Sequence, residues 1–417
     1  MPRSLKTLIW IPALLMVLAV CARPSRAKDD HKGFIYGRVV TESGSDYTGF
    51  LRWGDQEAFW DDLFQSAKVN FPYLDYLDDD DLNDLRRNRR KQYSFFKKWR
   101  VTVEEDGSMS RMFISRFGDI DKIEPKGEGE ANLLMKSGTR FEVEGAADDV
   151  TSNIHVNDAT LGMIDLHWDK IELIEFKAVP RGEDPGVWRL YGTVDTDEGA
   201  FEGNIQWDKQ ECINTDKLDG DTEDGDVSIE MGRIKSIERR SRRSSTVVLK
   251  DGRELVLDGS NDVNHENRGI MIEDPRYGRV TVGWKSFEKA TFKDPPGSGP
   301  GYDDFPARGA LKGTVTTEDG DTYTGRLVFD LDESEGWEIL NGDLGDIEFD
   351  IPFYKVARLE PMGHDECLVV FTSGEKITLE DAQDVSDNNA GVLIFTGDKE
   401  FTYIEWREVE KIVFDHK

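Results

Sequence analysis

The segment Gly37–Trp53 reads GRVVTESGSDYTGFLRW, and nearly the same phrase returns as GTVDTDEGAFEGNIQW at Gly192–Trp207 and as GTVTTEDGDTYTGRLVF at Gly313–Phe329. All three fit the pattern G-x-V-x-T, a turn that contains glycine, and then G-x-[LI]-x-[WF]. Repetition at a long period is typical of chains built from similar units placed one after another. We therefore predict three tandem modules.

Each module also has a second half that recurs. This half closes on Trp168, Trp284 or Trp406, and a glutamate follows each tryptophan four residues later. Asp-Gly and Ser-Gly dipeptides lie between stretches in which apolar and polar residues alternate, a pattern that indicates β-hairpins. The predicted fold class is all-β. The predicted boundaries are residues 28–179, 187–294 and 310–417 for the modules, with a Pro/Gly-rich linker at 295–309.

The first half of each module ends in a phrase with two aliphatic residues three positions apart, at Ile120-x-x-Ile123, Ile234-x-x-Ile237 and Val356-x-x-Leu359. This arrangement of strands, glycine turns and closing phrases resembles Sm-like and SH3-like small β-barrels. The resemblance implies two small barrel units per module. No position matches the RNA-binding Asn and Arg loop residues of the Sm family. A closed ring such as a six-bladed propeller is the alternative, and the long linker disfavours it.

The first 27 residues have the composition of a secretory signal peptide. Arg3 and Lys6 precede the apolar run Leu8–Val20, and Ser25-Arg26-Ala27 is an acceptable cleavage site. Nothing later in the chain approaches the roughly 20 apolar residues of a transmembrane helix. We expect a periplasmic or secreted protein without a transmembrane segment in the mature chain. A lipoprotein anchored through Cys21 is the alternative.

The chain is strongly acidic, with a formal net charge of −31 at pH 7. Loss of residues 1–27 removes four basic residues and no acidic one, which leaves −35. Because such a polyanion repels nucleic acid, nucleic acid is not a predicted partner. Two cysteines remain, Cys212 and Cys367, and both a disulfide between modules two and three and two free thiols stay open.

Module one is longer than the others because of an insertion at about residues 71–107. Its middle begins with the acidic run Asp78–Asp81 and ends with Lys97 and Lys98, a charge order that suits the dipole of a helix. We predict a helix folded over the first barrel, with partner docking as the alternative role. The apolar side chains on one face of this helix are Leu82, Leu85, Tyr93, Phe96 and Trp99.

Repeated Asp-Val pairs are candidate ligand loops, each with an asparagine four or five residues downstream. The paired residues are Asp149 with Asn153, Asp262 with Asn267, and Asp384 with Asn389. Aspartate and asparagine shape turns by bonding to nearby backbone groups, so the pattern predicts a repeated turn. The alternative is one ligand loop in each module.

No catalytic motif accompanies these repeats. The sequence lacks a zinc-binding spacing, a G-x-S-x-G elbow and a phosphate-binding glycine loop. Calcium is the one candidate cofactor, at the acidic runs Asp78–Asp81, Asp219–Asp226 and Asp343–Asp350, although none has EF-hand spacing.

From these observations we predict a non-catalytic interaction or scaffold protein of the cell envelope, whose partner is a protein or a polysaccharide. One alternative is a carbohydrate-active hydrolase that uses paired carboxylates. The other is a calcium-dependent adhesive or structural module.

Overall fold

The computed structural model describes residues 31–78, 82, 101–103, 109–127, 129–145, 149–397 and 400–416. Within these residues the chain forms 31 β-strands joined by tight turns, which confirms the predicted all-β class. The predicted signal peptide, with Cys21, lies outside the described residues. In the part of the chain that is described, no helix is long and apolar enough to cross a membrane.

The strands fall into three consecutive groups. Group 1 contains β1 (Tyr36–Thr41), β2 (Asp46–Trp53), β3 (Leu63–Lys68), β4 (Val101–Val103), β5 (Met109–Arg116), β6 (Ile120–Lys126), β7 (Glu130–Met135), β8 (Arg140–Glu144), β9 (Ile154–Asp158), β10 (Gly162–Leu166) and β11 (Ile171–Phe176). Group 2 contains β12 (Tyr191–Thr196), β13 (Gly199–Gln206), β14 (Lys217–Thr222), β15 (Gly225–Glu230), β16 (Ile234–Arg239), β17 (Ser245–Leu249), β18 (Glu254–Leu257), β19 (Ile270–Asp274), β20 (Gly278–Val282) and β21 (Phe287–Lys293). Group 3 contains β22 (Lys312–Thr317), β23 (Thr322–Phe329), β24 (Ile339–Leu344), β25 (Ile347–Pro352), β26 (Val356–Pro361), β27 (Glu366–Phe371), β28 (Lys376–Glu380), β29 (Val392–Phe395), β30 (Phe401–Ile404) and β31 (Val409–Phe414).

Short 3-10 turns connect several of these strands. They lie at Leu74–Tyr76, Phe117–Asp119, Trp168–Lys170, Met231–Arg233, Asn261–Val263, Tyr302–Asp304, Phe353–Lys355, Gln383–Val385 and Trp406–Glu408.

All three groups pair their strands antiparallel and in one scheme. Group 1 has the order β10-β9-β2-β1-β11-β6-β7-β8-β3-β5, with β4 added beside β5. Group 3 repeats this order as β30-β29-β23-β22-β31-β26-β27-β28-β24-β25. Group 2 repeats the first eight positions of this order as β20-β19-β13-β12-β21-β16-β17-β18. Its remaining strands form the hairpin β14–β15, which contacts the end of β18 through the bridge Asp221↔Asp258. The three-module boundaries and the small barrels stay predictions.

Two large sheets result from these pairings. Group 1 forms an 11-stranded sheet, whereas groups 2 and 3 share an 18-stranded sheet. The link between groups 2 and 3 is the pairing of β20 with β25, which runs from Arg279↔Asp350 to Val282↔Ile347. Groups 2 and 3 are therefore joined by backbone hydrogen bonds.

The repeated aromatic residues fill the cores. Trp168, Trp284 and Trp406 are 3, 6 and 3% exposed, so they pack in the interior and offer no open face for stacking. Cys212 and Cys367 are both buried and free, which excludes a disulfide between them. Cys212 packs in the core of group 1, although it comes from the chain of group 2.

The predicted linker at 295–309 packs against group 1. Phe305 is buried in the group 1 core, and the ring of Tyr302 lies 4.7 Å from that of Trp60. The Lys136 ammonium donates hydrogen bonds to the carbonyl oxygens of Tyr302, at 2.5 Å, and Phe305, at 3.1 Å. The linker therefore ties group 3 to group 1.

Replacing Gly118 with alanine is expected to loosen this contact. A Cβ atom at Gly118 would lie 2.4 to 2.6 Å from three ring atoms of Phe305, so the ring or the strand end must move. We expect Gly118→Ala to lower the free energy of unfolding by about 1–3 kcal/mol, measured by urea denaturation. Gly129→Ala is the control, because no described residue lies within 4 Å of its Cβ position. Equal losses in the two variants would contradict the prediction.

The described start of the predicted insertion contacts group 3, and its predicted helix over the first barrel stays a prediction. Leu77 is buried there, and Leu82 packs partly buried against the same apolar cluster. The group 3 members of that cluster are Val328, Leu331, Ala390 and Leu393. Four residues of the predicted helix face lie outside the described residues, namely Leu85, Tyr93, Phe96 and Trp99.

Three acidic turns at the junctions between strand groups

One acidic turn follows the second strand of each group. Turn 1 is Trp53–Leu63 (WGDQEAFWDDL), turn 2 is Trp207–Lys217 (WDKQECINTDK) and turn 3 is Phe329–Ile339 (FDLDESEGWEI). Each turn begins with an aromatic residue and has a glutamate four positions later and a second acid nine positions later. These glutamates are Glu57, Glu211 and Glu333, and the later acids are Asp62, Asp216 and Glu338.

The backbone of each turn closes in the same way. In turn 2, the Trp207 N–H donates to the Glu211 carbonyl at 2.8 Å, and the Glu211 N–H donates back to the Trp207 carbonyl at 2.9 Å. The chain reverses through left-handed residues, with φ of 50° at Asp208 and 49° at Asp330. Turn 1 has Gly54 at this position, with φ of 55°. Aspartate is among the few side chains that tolerate this conformation.

The aspartates of the Asp-Val pairs lie beside these turns. A side-chain oxygen of Asp149 accepts the Gln65 N–H at 2.6 Å, and Asp262 accepts the Asp219 N–H at 2.7 Å. Asp384 accepts the Asn341 N–H at 2.7 Å. Each of these carboxylates therefore binds a backbone N–H near the start of the third strand of its group and fixes the position of that strand.

The downstream asparagines are divided in their roles. Asn267 and Asn389 each accept the backbone N–H of a glycine two residues later, at 3.0 and 2.8 Å. These bonds are typical of asparagine in turns. Asn153 instead bonds the ring of His167 at 2.9 Å. The structure thus brings the aspartates to the acidic turns and gives the asparagines local contacts.

Removing the carboxylate of Asp149 is expected to destabilise group 1. Asp149→Ala leaves the Gln65 N–H without its acceptor, and we expect a loss of about 1–3 kcal/mol in the free energy of unfolding. Hydrogen exchange should show faster exchange at the Gln65 amide. Asp319→Ala, on an exposed turn, is the control and should change stability by less than about 0.5 kcal/mol. Unchanged exchange at Gln65 would contradict the assignment.

Two of the turns gather three carboxylates at one point. Cluster 2 consists of Asp208, Glu211 and Asp262, and cluster 3 consists of Asp330, Glu333 and Asp384. In each cluster, one oxygen from each side chain lies within 4.8 Å of the other two. Asp262 and Asp384 were candidates from the sequence, but the other four were missed. The detectable signal was the glutamate four residues after the aromatic that closes each repeated phrase.

The acidic runs considered for calcium do not build these clusters. No residue of Asp219–Asp226 or Asp343–Asp350 belongs to either cluster. Of the run Asp78–Asp81, only Asp78 lies within the described residues.

Burial dominates the electrostatics of the clusters. It raises the pKa of Glu211 to about 8, with a further contribution from Asp262, whose own pKa burial raises to about 6. The pKa of Glu333 is also well above its usual range, through burial and then through Asp332. Oε2 of Glu211 and Oε2 of Glu333 are buried and have no hydrogen-bond partner in the described part of the chain. Burial therefore disfavours the ionised forms of these carboxyls in both clusters as long as no cation compensates their charge.

Turn 1 receives its cations from group 2. Arg189 donates to Asp61 at 2.6 Å, and Arg279 of β20 donates to Asp62 at 3.0 Å and to Glu273 at 2.5 Å. Both arginine side chains are almost completely buried. These ion pairs join turn 1 to the neighbouring group.

Turn 2 receives a cation from group 1. The Arg52 guanidinium binds both carboxylate oxygens of Asp216, at 2.9 and 3.1 Å. The Cys212 thiol lies 3.4 Å from the Gln56 carbonyl oxygen of turn 1. Turn 2 is therefore inserted between its own group and group 1.

Turn 3 also receives its cations from group 1. The Lys68 ammonium lies 2.8 Å from Asp332 and 3.0 Å from Glu338, and Arg111 lies 2.6 Å from Asp330. The buried Trp337 adds an apolar contact, because its ring lies 5.9 Å from that of Phe113 and 5.8 Å from that of Phe141. All three turns thus take charged partners from another group.

Comparisons with known proteins give no family for this chain. No protein-family model matches it, and no curated protein matches it. Among solved structures, a streptogramin B lyase structure aligns with 76% of this chain and 93% of its own chain, at 9% identity and a TM-score of 0.14. A score of this size carries no argument about fold or function.

Proposed function

We propose that this chain is an exported, non-catalytic interaction scaffold of the cell envelope, in which three β modules are locked into one body. The carrying observation is that each acidic turn takes buried or half-buried cations from another strand group. Breaking such pairs is costly, so the groups are held at fixed relative positions. Surfaces held at constant spacing suit multivalent contact with a repeating protein or polysaccharide.

The common pairing scheme supports the modular part of this proposal. In group 3, the strands divide into two runs of five, β30-β29-β23-β22-β31 and β26-β27-β28-β24-β25, joined where β31 pairs with β26. Two five-stranded units per module are what the Sm-like and SH3-like resemblance implies. The N-terminal sequence pattern supports export.

Burial of the clustered carboxylates argues against their use as the catalytic pair of a hydrolase. Asp208 and Glu211 are buried, and a catalytic carboxyl must touch its substrate. Neither of two cavities, of about 580 and 510 Å³, is lined by Glu211 or Glu333. Cluster 2 and cluster 3 therefore suit a structural role better than glycoside cleavage.

Affinity capture from an envelope extract with residues 28–417 tests the proposal. The matched variant replaces residues 83–100 with a Gly/Ser segment of equal length, so that Leu77 and Leu82 keep their contacts with group 3. We expect the full chain to retain a protein or polysaccharide that also binds when purified. Loss of binding in the variant would place docking in the predicted insertion. No retention together with cleavage of a glycan substrate would overturn the scaffold assignment in favour of a hydrolase.

A further inference from the structure

We propose that cluster 2 and cluster 3 each bind one calcium ion. This proposal goes beyond the scaffold function and does not depend on it. It rests on four features of the clusters: their size, an unpartnered buried oxygen, their charge and the contrast with turn 1.

The size of the clusters fits calcium. Oxygens bound to one calcium ion lie 2.3–2.6 Å from it, so two ligands on opposite sides are about 4.6–5.2 Å apart. The three carboxylate oxygens in each cluster lie within 4.8 Å of one another, which one such ion can span. The ligand set is all oxygen, which suits a hard cation and disfavours zinc or copper.

One carboxylate of each cluster has a buried oxygen without a hydrogen-bond partner among the described residues. Glu211 is 8% exposed, and its Oε2 has no hydrogen-bond partner among the described residues. In turn 3, Oε2 of Glu333 is likewise buried and without a partner among the described residues, although the whole side chain is only partly buried. A buried carboxylate oxygen without a partner is costly. A bound cation removes that cost in both turns.

The net charge of the ionised carboxylates and the arginine at each cluster matches a divalent cation. In cluster 2, three carboxylates face one guanidinium, that of Arg268, which binds Asp208 at 2.8 Å. In cluster 3, Arg111 binds Asp330, and the nearby Lys68 is paired with Asp332 and Glu338, two acids outside the cluster. Two negative charges are left at each site when all three acids are ionised. One calcium ion cancels them.

Turn 1 is an internal contrast. It has Gly54 where the other turns have Asp208 and Asp330, so only Glu57 and Asp149 remain. No cluster of three carboxylates forms around turn 1 within the described residues. The inference therefore assigns two calcium ions to the chain rather than three.

Isothermal titration of calcium chloride into metal-free residues 28–417 tests the proposal. We expect two sites for the natural chain, one for Glu211→Gln, one for Glu333→Gln and none for the double variant. Asp149→Asn is the matched control at turn 1 and should keep two sites. Far-UV circular dichroism establishes that each variant is folded. Two sites retained in the double variant would overturn the assignment.

A second measurement needs no variant. Trp207 begins turn 2, and its indole N–H donates to the Asp262 carbonyl oxygen at 2.9 Å, so it lies beside cluster 2. Terbium, a luminescent substitute for calcium, should emit when tryptophan is excited, and added calcium should remove that emission. Emission that calcium does not displace, or no calcium heat with the natural chain, would overturn the proposal. Binding of magnesium or manganese without calcium would equally overturn it.

Discussion

Replacing Arg279 with methionine is expected to lower the free energy of unfolding by about 3–5 kcal/mol. The Arg279 side chain is 3% exposed and binds Asp62 of turn 1 and Glu273 of β19. Methionine fills a similar volume but leaves both carboxylates buried, with Arg189 as the remaining nearby guanidinium on Asp62 at 3.6 Å. An uncompensated buried charge is the main cost, because the pair itself contributes little net stability. Equilibrium denaturation of residues 28–417 measures the loss.

Arg233→Met is the matched control for this prediction. Arg233 forms an ion pair with Glu230 at 3.0 Å, but its side chain is 71% exposed. Exposed pairs are worth about 0–1 kcal/mol, so this variant should behave almost like the natural chain. A double variant Arg279→Met with Asp62→Asn should recover part of the lost free energy of unfolding, because it removes one of the two buried carboxylates that Arg279→Met leaves without a partner. Similar stabilities for the two single variants would contradict the role assigned to the junction.

The strand content was predictable because its signals are local. The phrase from Gly37 to Trp53 alternates apolar and polar residues around a glycine turn, and it forms β1 and β2 as an antiparallel pair. Side chains in a strand alternate between faces, so this pattern needs no knowledge of distant residues. The closing tryptophans Trp168, Trp284 and Trp406 also follow such alternating stretches, and all three lie in the interior.

The junctions were not predictable, because they join residues far apart in sequence and different in each group. Lys68 meets Asp332 across 264 positions, and Arg279 meets Asp62 across 217. No repeated spacing marks these cations. The sequence suggested that the Pro/Gly segment separates modules, whereas Phe305 of that segment packs in the group 1 core. Glycine and proline report backbone conformation and say nothing about which surface the segment covers.

The carboxylate clusters were predictable in part, less than the strands but more than the junctions. Asp262 was found because it recurs after a fixed interval, but Glu211 was overlooked among the many acids of the chain. Comparison of turns 2 and 3 distinguishes Glu211 from the other acids, because a glutamate follows the aromatic residue by four positions in both turns. An acid that recurs at the same position of a repeated turn points to a site residue, whereas the total number of acids does not.

Replacing Trp337 with alanine is expected to separate group 3 from group 1. Trp337 is 1% exposed, and its neighbours Phe113 and Phe141 belong to group 1. Removal of a buried tryptophan costs about 3–5 kcal/mol through lost burial and the cavity left behind. Most of this loss should fall on the contact between groups, because the indole packs against the core of the other group.

We therefore expect one unfolding transition for the natural chain and two for Trp337→Ala. Limited proteolysis should detect the same separation as cleavage within residues 295–309, the segment that contains the buried Phe305. Trp337→Phe keeps an aromatic ring at the contact and should retain one transition. Leu161→Ala is the surface control, since Leu161 is 67% exposed. A single transition in Trp337→Ala, with stability equal to that of Leu161→Ala, would show that the groups are held together without this contact.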